Sequence, residues 1–461
     1  MMTLKRRHPR AAFVLPVIAV VWAVLGLLAS AQTLTGPDQA RRYLEGHDPA
    51  GAETVLRRWL KDHPGDAQAW YLLGVAYAEL GDPAQAATSF ERCLELDPKV
   101  FAAYSALADA ALAGGDRESA RRVLHKGLEQ FPGDDLLLFR LGRLYFQDGN
   151  AREALSYLTR VNSVRAPAGY WEIRGRAEMS LGDLAAAAVS FTRALEEKPR
   201  SVRLLQVVSA LELKRGRVEE AWNAIAQARS LAPDSPKVVY AFAVVSLENG
   251  LVSESIATLR LLLLREPDHP DYLMMLGNAV LESATEYSKA PDYFARYVEL
   301  QPDDPLGHMM YGYSLYTVRR YDEATVELNK TLELQPGFPE ALFYLGMIAF
   351  NTNREDEAID YFQRVLADSD QHMKAHLTLG KIWLRRGRFQ EAVSELQRAL
   401  ELSGGGADIH YNLSRAYSQL GDREKAREHL EKYQEFKKLE EEREVRSREF
   451  RFLERFRPAS E

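Results

Sequence analysis

Apolar residues recur along this chain at the spacing of an α-helix, and residues that favour turns interrupt them at regular intervals. In residues 66–99 two apolar faces at helical spacing follow one another, the first formed by Trp70, Leu73, Gly74 and Tyr77 and the second by Ala86, Phe90, Cys93 and Leu94. Gly81-Asp82 favours a turn between them, and Pro98 ends the second face because proline cannot continue a helix. The segment therefore predicts an antiparallel pair of helices, and its small residues Gly74 and Ala86 let the two helices approach closely.

The same pattern repeats along almost the whole chain, as an alanine at one position of the second helix shows. It recurs in steps of 34 residues, except for one step of 33 and one of 35. Ser255 takes the place of the alanine in one repeat. The alanines are Ala52, Ala86, Ala120, Ala154, Ala187, Ala221, Ala290, Ala324, Ala358, Ala392 and Ala426. A fixed period of this length is typical of one helix pair stacked on copies of itself. We therefore expect an all-α fold, an α-solenoid of about twelve helix-turn-helix units.

Residues 66–99 resemble the tetratricopeptide repeat, because its W-x-x-L-G-x-x-Y, A-x-x-x-F and P elements are all present. The resemblance covers residues 33–440. It implies a right-handed superhelix in which the first helices line a concave groove. It also implies a scaffold or adaptor that binds extended or helical segments of partner proteins in that groove.

The repeat pattern also predicts how the chain is organised. Residues 33–66 form a degenerate capping repeat with a short first helix, residues 67–440 form the repeat array, and residues 441–461 form a charged C-terminal helix extension. Within the array, the turn of the unit that begins at Pro270 carries Ser283-Ala284-Thr285 instead of glycine. Gly404-Gly405-Gly406 is expected to be a flexible link that a protease cuts early.

The extension carries an apolar stripe formed by Phe450, Leu453 and Phe456. Two interpretations of this stripe remain open. An array needs a terminal cap with a polar outer face, and the extension is one candidate for that role. Alternatively, the stripe binds a partner or a second copy of the chain.

The free face of the first helices turns apolar and aromatic between residues 236 and 384. The residues predicted to form the partner-binding groove are Tyr240, Met274, Asn278, Met309, Tyr313, Tyr316, Phe343, Met347, Phe350 and Lys381. Aromatic side chains and flexible methionines on an open face suit the binding of an extended peptide or a helix. The alternative is that several of these side chains pack between neighbouring first helices and never meet solvent.

The first residues of the chain have the composition of an export signal. Four basic residues precede an apolar run over residues 11–28, and Ala29-Ser30-Ala31 follows it. This order predicts a signal peptide over residues 1–31, or an uncleaved membrane anchor over residues 11–28. Both interpretations place the array outside the cytosol, in a periplasm or secreted. If the segment stays uncleaved, the alternative function is a membrane-anchored structural component of an envelope, polysaccharide or secretion assembly.

Charge and cysteine content limit the partners and the chemistry. The net charge is −7, so the chain is a poor ligand for a polyanion and nucleic acid is not an expected partner. Cys93 is the single cysteine, which excludes an intramolecular disulfide. We expect it to be a small buried residue rather than a reactive thiol.

The sequence contains no phosphate-binding glycine loop, no paired-cysteine metal motif and no nucleophile elbow. We therefore expect no enzyme activity and no cofactor. His372 and His376 are four residues apart and His410 lies one repeat later, a spacing that would allow the first two to share a metal ion. No third ligand is specified, so packing within the helix pairs is the favoured role for these histidines.

Overall fold

The computed structural model describes residues 35–368 and 371–455, except for the side chains of residue 368 and of residues 443–455. In this part the chain forms twenty-four α-helices, one short 3₁₀ helix and no strand, which confirms the all-α prediction. No described helix combines the length and the apolarity needed to cross a bilayer. The predicted signal or anchor over residues 1–31 lies outside the described residues.

The chain divides into two compact units, Met1–Gly216 and Arg217–Glu461. The first unit contains the helices α1 (Gly36–Glu45), α2 (Pro49–Asp62), α3 (Ala67–Glu79), α4 (Pro83–Leu96), α5 (Phe101–Ala113), α6 (Arg117–Gln130), α7 (Asp135–Gln147), α8 (Ala151–Leu158), α9 (Tyr170–Ser180), α10 (Leu184–Glu197) and α11 (Val202–Lys214).

The second unit begins with the second helix of a repeat. Its helices are α12 (Val218–Leu231), α13 (Pro236–Glu248), α14 (Val252–Arg265), α15 (Pro270–Glu282), α16 (Ala290–Leu300), α17 (Pro305–Thr317), α18 (Tyr321–Leu334), α19 (Pro339–Asn351), α20 (Glu355–Asp368), α21 (Met373–Arg385), α22 (Phe389–Ser403), α23 (Ala407–Leu420) and α24 (Arg423–Arg455). The 3₁₀ helix, Tyr287–Lys289, precedes α16.

Within each unit the helices stack as a solenoid. Each helix packs against the helix before it and the helix after it, and first helices of neighbouring pairs also touch, as α3 and α5 do in the first unit and α17 and α19 in the second. This arrangement places the free faces of successive first helices side by side. It is therefore on these faces that residues from several repeats form one continuous surface.

Aspartates fix where many of the helices begin. Several helices begin directly after an aspartate whose side chain accepts a hydrogen bond from the backbone N–H three residues further along. Among these aspartates are Asp66, Asp82, Asp116, Asp134 and Asp183. Such a cap satisfies a backbone donor that the helix itself cannot, and it contributes about 1 kcal/mol.

Small residues allow the two helices of a pair to approach closely, as the sequence predicts. A Cβ atom added at Gly74 would lie 2.5 Å from the Phe90 ring, so only glycine fits there. The residues of the alanine series, including Ser255, are fully buried up to Ala392. Ala426, in the last helix, is only partly buried. The repeat is therefore held by contacts that leave no room for a larger side chain.

The turn without glycine at Ser283-Ala284-Thr285 becomes a longer loop that ion pairs hold in place. Glu286 lies 2.6 Å from Arg260 of α14 and 2.8 Å from Lys289. Hydrogen bonds from these two side chains lower the pKa of Glu286 to about 2. The extra residue of this repeat thus lies in a loop that an ion pair connects to the preceding helix pair.

The glycines of Gly404-Gly405-Gly406 provide space for a side chain of the last helix. Gly405 has a φ of +140°, and a Cβ atom there would lie 2.4 Å from the Phe436 ring. Phe436 also stacks on His410, with ring centroids 5.3 Å apart. This segment therefore has a packing role in addition to that of a link, and its predicted flexibility remains a prediction.

The last helix, α24, runs over 33 residues and passes residue 440 without a break. Its first part packs on the array, with the Tyr433 ring 5.3 Å from that of Tyr411. The side chains of Phe450 and Leu453, and Phe456 as a whole, lie outside the described part, so the choice between cap and association helix stays open.

Candidate functional site

The ten predicted groove residues all lie on first helices of the second unit, and we call them the aromatic strip. They come from α13 (Tyr240), α15 (Met274 and Asn278), α17 (Met309, Tyr313 and Tyr316), α19 (Phe343, Met347 and Phe350) and α21 (Lys381). Because α13 touches α15 and α17 touches α19, the residues of each of these two helix pairs lie next to one another.

The strip is partly core and partly accessible surface. Met309 and Phe343 are buried, with 8% and 7% of their surface exposed, as expected from the alternative in which strip residues pack between first helices. The other eight are half-buried, and none is fully exposed. A half-buried aromatic or methionine side chain is already ordered by its neighbours and still has apolar surface left to cover.

Three tyrosines form the centre of the strip. The Tyr344 ring centroid lies 4.7 Å from that of Tyr313 and 5.4 Å from that of Tyr316. Asn351 donates a hydrogen bond of 3.2 Å to the Tyr316 hydroxyl. Burial, together with the neighbouring Tyr313 hydroxyl, raises the pKa of Tyr344 well above its usual range, so this hydroxyl stays protonated. The cluster offers aromatic faces together with neutral hydrogen-bonding groups.

Tyr344 is not among the ten predicted residues, and we include it in the aromatic strip because its ring packs on Tyr313 and Tyr316. It directly follows Phe343, and successive residues of a helix point about 100° apart. The sequence contains a signal for it, because Met310 of α17 occupies the same repeat position and is also apolar.

Phe343 anchors the strip to the core. Its ring lies 4.7 Å from His372 and 5.8 Å from Phe362, which is fully buried. Burial lowers the pKa of His372, which favours the neutral ring in this contact. Replacing Phe343 would therefore disturb the fold as well as the surface.

The C-terminal end of the strip carries positive charge. The Arg385 guanidinium lies 4.0 Å above the Phe350 ring and forms an ion pair with Glu355. Lys381 forms an ion pair with Asp408 of α23. Two cations thus border the apolar centre at this end. Neighbouring carboxylates partly balance their charge.

At the opposite end the strip contains a buried polar atom. Asn278 Oδ1 is buried and accepts no hydrogen bond from the described residues. Nearby, the Tyr240 and Tyr272 rings lie 5.3 Å apart. An amide oxygen without a donor costs about 1–3 kcal/mol when it is buried.

The histidines considered as metal ligands do not converge. His372 caps α21 by accepting from the Ala375 backbone N–H, whereas His376 pairs with Glu395 at 2.6 Å. The Nδ1 atom of His410 lies 2.9 Å from that of His429. Among the described residues no group of three or more His, Cys, Asp or Glu side chains is placed to hold a metal ion.

Cys93 is fully buried, as the sequence analysis expects. Burial raises the pKa of its thiol to about 11. The thiolate, which is the nucleophilic form, is therefore scarce near neutral pH.

The corresponding face of the first unit is more polar, and its charges pair with one another. Asp109 forms an ion pair with Arg140, and Arg176 donates a hydrogen bond of 3.2 Å to Glu172. Beside Asp109 the structure contains a cleft that the sequence analysis did not predict.

Comparison with known proteins places most of the array in one family. Two family models described as tetratricopeptide repeat match residues 212–279 and 383–442 in one case, and 150–202, 173–236 and 310–373 in the other. A further model, the TPR domain of cytochrome c-type biogenesis protein H, matches residues 42–168.

The curated relatives are much longer than the matching part. Tetratricopeptide repeat protein 37 of Xenopus laevis is 25% identical over 277 residues, which are 55% of this chain and 18% of that protein. Superkiller complex protein 3 of Mus musculus is 27% identical over 267 residues, 55% of this chain and 17% of that protein. The chain therefore spans less than a fifth of either relative.

Solved structures show only distant likeness. The yeast Tom70 structure has a TM-score of 0.41 at 15% identity, covering 83% of this chain and 96% of Tom70. The Cut9 and Hcn1 hetero-tetramer of APC/C gives a TM-score of 0.42 at 16% identity, covering 90% of this chain and 95% of the matched chain.

Proposed function

Because this chain belongs to the tetratricopeptide repeat family, whose stacked repeats form extended binding surfaces for other proteins, we propose that it is a scaffold that binds partner proteins through the aromatic strip. The observation that carries this proposal is the tyrosine cluster of Tyr313, Tyr316 and Tyr344. These three half-buried rings come from two neighbouring first helices, and the Tyr344 ring lies 4.7 Å from Tyr313 and 5.4 Å from Tyr316 between centroids.

Ordered aromatic side chains favour binding for an energetic reason. Tyrosine buries a large area and loses little conformational freedom, which is why it dominates the energy of many interfaces. Stacking within the cluster has already restricted the rings, so a partner does not have to order them again. Covering the apolar area that is still exposed is favourable by about 25 cal/mol per Å², from which the costs of association are subtracted.

The strip favours an extended or helical protein segment over a small molecule. It runs along successive first helices, and its polar groups are spread between Asn278 at one end and Lys381 at the other. A peptide presents backbone groups and side chains at intervals along its length, so it can contact both ends at once. The methionines Met274 and Met347 can adjust to segments of different shape.

Export of the protein is the second part of the proposal. The basic residues, apolar run and Ala29-Ser30-Ala31 of the N-terminus support it. N-terminal sequencing of the protein from its native cells tests it: a start at Gln32 is expected for cleavage, and an intact N-terminus in a membrane fraction would instead favour the anchored alternative. Full-length protein free in the cytosol would contradict export.

Site-specific crosslinking in intact cells tests the binding surface. A photoreactive amino acid at position 316 is expected to capture a defined partner that mass spectrometry identifies, since the Tyr316 side chain belongs to the cluster. The matched control places the same amino acid at Val326 of α18, which is 65% exposed and lies on a second helix. The same capture from both positions, or none from position 316, would contradict the proposal.

A further inference from the structure

The first unit contains a cleft of about 550 Å³ between α3, α4 and α5. Most of its lining is small or apolar: Val75, Ala78, Gly81, Pro83, Phe90, Ala106, Ala110 and Ala113, with Glu79 and Asp109 as the charged members. It belongs to a different unit from the aromatic strip, which lies beyond residue 216.

The cleft exists because one large side chain is absent. The repeat period relates Ala78 of α3 to Leu112, Phe146 and Met179 in the next three first helices. All three of these larger side chains are half-buried against the core of their own helix pairs. Alanine at the first of these positions leaves open the space that a leucine or phenylalanine fills in the repeats that follow.

The neighbouring helix enlarges the same space. α5 contributes three alanines to the cleft, Ala106, Ala110 and Ala113. They follow one another at intervals of three or four residues and so form one face of that helix. The fully buried ring of Phe90 also lines the cleft, which adds to its apolar surface.

The rim of the cleft is acidic. Glu79 and Asp109 are both exposed, and they are the only charged residues among those that line it. Arg140 balances Asp109 through an ion pair, which leaves the lining with a net negative charge. A cation next to the apolar group of a ligand would therefore be attracted to this rim.

We propose that this cleft, the Ala78 socket, binds an apolar side chain of a partner protein segment in which a lysine or arginine stands next to that side chain. The side chain takes the place that Leu112 and Phe146 occupy in their own repeats, and the basic residue meets Glu79. The socket does not depend on the aromatic strip, since the two surfaces lie in separate units.

Peptide selection on the full chain tests the socket. Random dodecapeptides displayed on phage are selected on the wild-type protein, and the enriched peptides are then measured by fluorescence anisotropy. We expect one class of peptides with an apolar residue beside Lys or Arg. For this class Ala78→Leu is expected to weaken binding at least tenfold, because leucine fills the socket.

Two further variants make the result specific. Glu79→Lys is expected to weaken the same peptides without filling the cleft. Ala185→Leu, which adds the same side chain to an exposed position of α10, serves as the matched control and is expected to change nothing. Circular dichroism confirms that each variant is folded.

The outcomes separate the socket from the strip. Peptides weakened by Ala78→Leu but not by the double substitution Tyr313→Ala and Tyr316→Ala support the socket. Peptides weakened only by the double substitution would overturn the socket and leave the strip supported. A class that is sensitive to Ala78→Leu but has acidic neighbours would also overturn the proposal, because the rim would then repel the ligand.

Discussion

Three non-glycine residues of the described part, His47, Arg319 and Asn353, adopt a left-handed backbone conformation that most of the other turns reserve for glycine. Arg319 and Asn353 have φ values of +61° and +59°, whereas most of the other turns carry a glycine with φ between 70° and 82°, as at Gly216 and Gly81. In this left-handed region a Cβ atom crowds the backbone, and the cost is about 1 kcal/mol or more. The irregular turns of the array are thus places of local strain.

Arg319→Gly is therefore expected to raise the free energy of unfolding by about 1 kcal/mol. Asn353→Gly should give a smaller gain, since asparagine tolerates this conformation better than arginine does. The midpoint of urea denaturation measures both effects. Gly81→Ala is the matched control, and it is expected to lower the midpoint because it places a Cβ atom in the same backbone conformation. If Arg319→Gly lowers the midpoint, the explanation is wrong.

Gly405 is expected to be less tolerant of alanine than Gly404. Both have positive φ values, but a Cβ atom at Gly404 meets nothing within 4 Å, whereas one at Gly405 would strike Phe436. Gly405→Ala should therefore cost roughly 1–3 kcal/mol more than Gly404→Ala, because Phe436 must leave its place. Urea denaturation of the two variants checks this, and equal midpoints would mean that Phe436 does not pack there.

At the scale of elements, a contact between two histidines is one of those that hold the last helix on the array. His410 of α23 and His429 of α24 lie 2.9 Å apart between their Nδ1 atoms. Burial lowers the pKa of both rings, and for His410 the nearby His429 lowers it further. Lys432 opposes protonation of both rings, whereas Glu428 favours it. Two neutral rings can share one proton in a hydrogen bond, and two charged rings would repel each other.

The stability of this end should therefore depend on pH. In the unfolded chain each histidine titrates near pH 6.5, but in the folded chain it does so at lower pH. The unfolded state then binds more protons below about pH 6.5, so the free energy of unfolding is highest above that pH and falls as the pH decreases. His429→Gln removes one of the two titrating groups and keeps a hydrogen-bonding side chain.

Urea midpoints at pH 7.5 and 5.5 measure this dependence. The wild-type protein is expected to lose more stability between the two pH values than the His429→Gln variant does. An equal loss in both proteins would show that the histidine pair does not control the attachment of α24.

The elements themselves were largely predictable from the sequence. A repeat contains its own turn residues, a small residue where its two helices cross and a residue that ends its second helix. The pattern is therefore local and can be found without tertiary information. The loop after Ser283 could not be predicted in the same way, since its shape depends on the reach of Arg260 from another helix. The helix α24 was expected to continue because no proline or glycine interrupts residues 432–457.

At the scale of the whole molecule, the sequence indicates which faces are free but not how deeply each side chain lies. Phe343 and Tyr313 both belong to the predicted strip, yet Phe343 is buried and Tyr313 is half-buried. The difference arises from neighbouring elements such as His372, which caps α21 and whose ring lies 4.7 Å from that of Phe343. The Ala78 socket was missed for a related reason: a binding cleft made by small residues shows in the sequence only when a repeat is compared with its neighbours.

The binding role assigned to the aromatic strip is the central claim, and one affinity measurement tests it most directly. The partner captured at position 316 is titrated against the wild-type protein and against Tyr313→Ala with Tyr316→Ala. A control pair, Leu261→Ala with Val326→Ala, removes exposed apolar side chains from second helices. We predict that the tyrosine pair weakens binding at least thirtyfold, about 2 kcal/mol, while helicity and the control affinity stay unchanged. Unchanged affinity in a folded tyrosine variant would contradict the account.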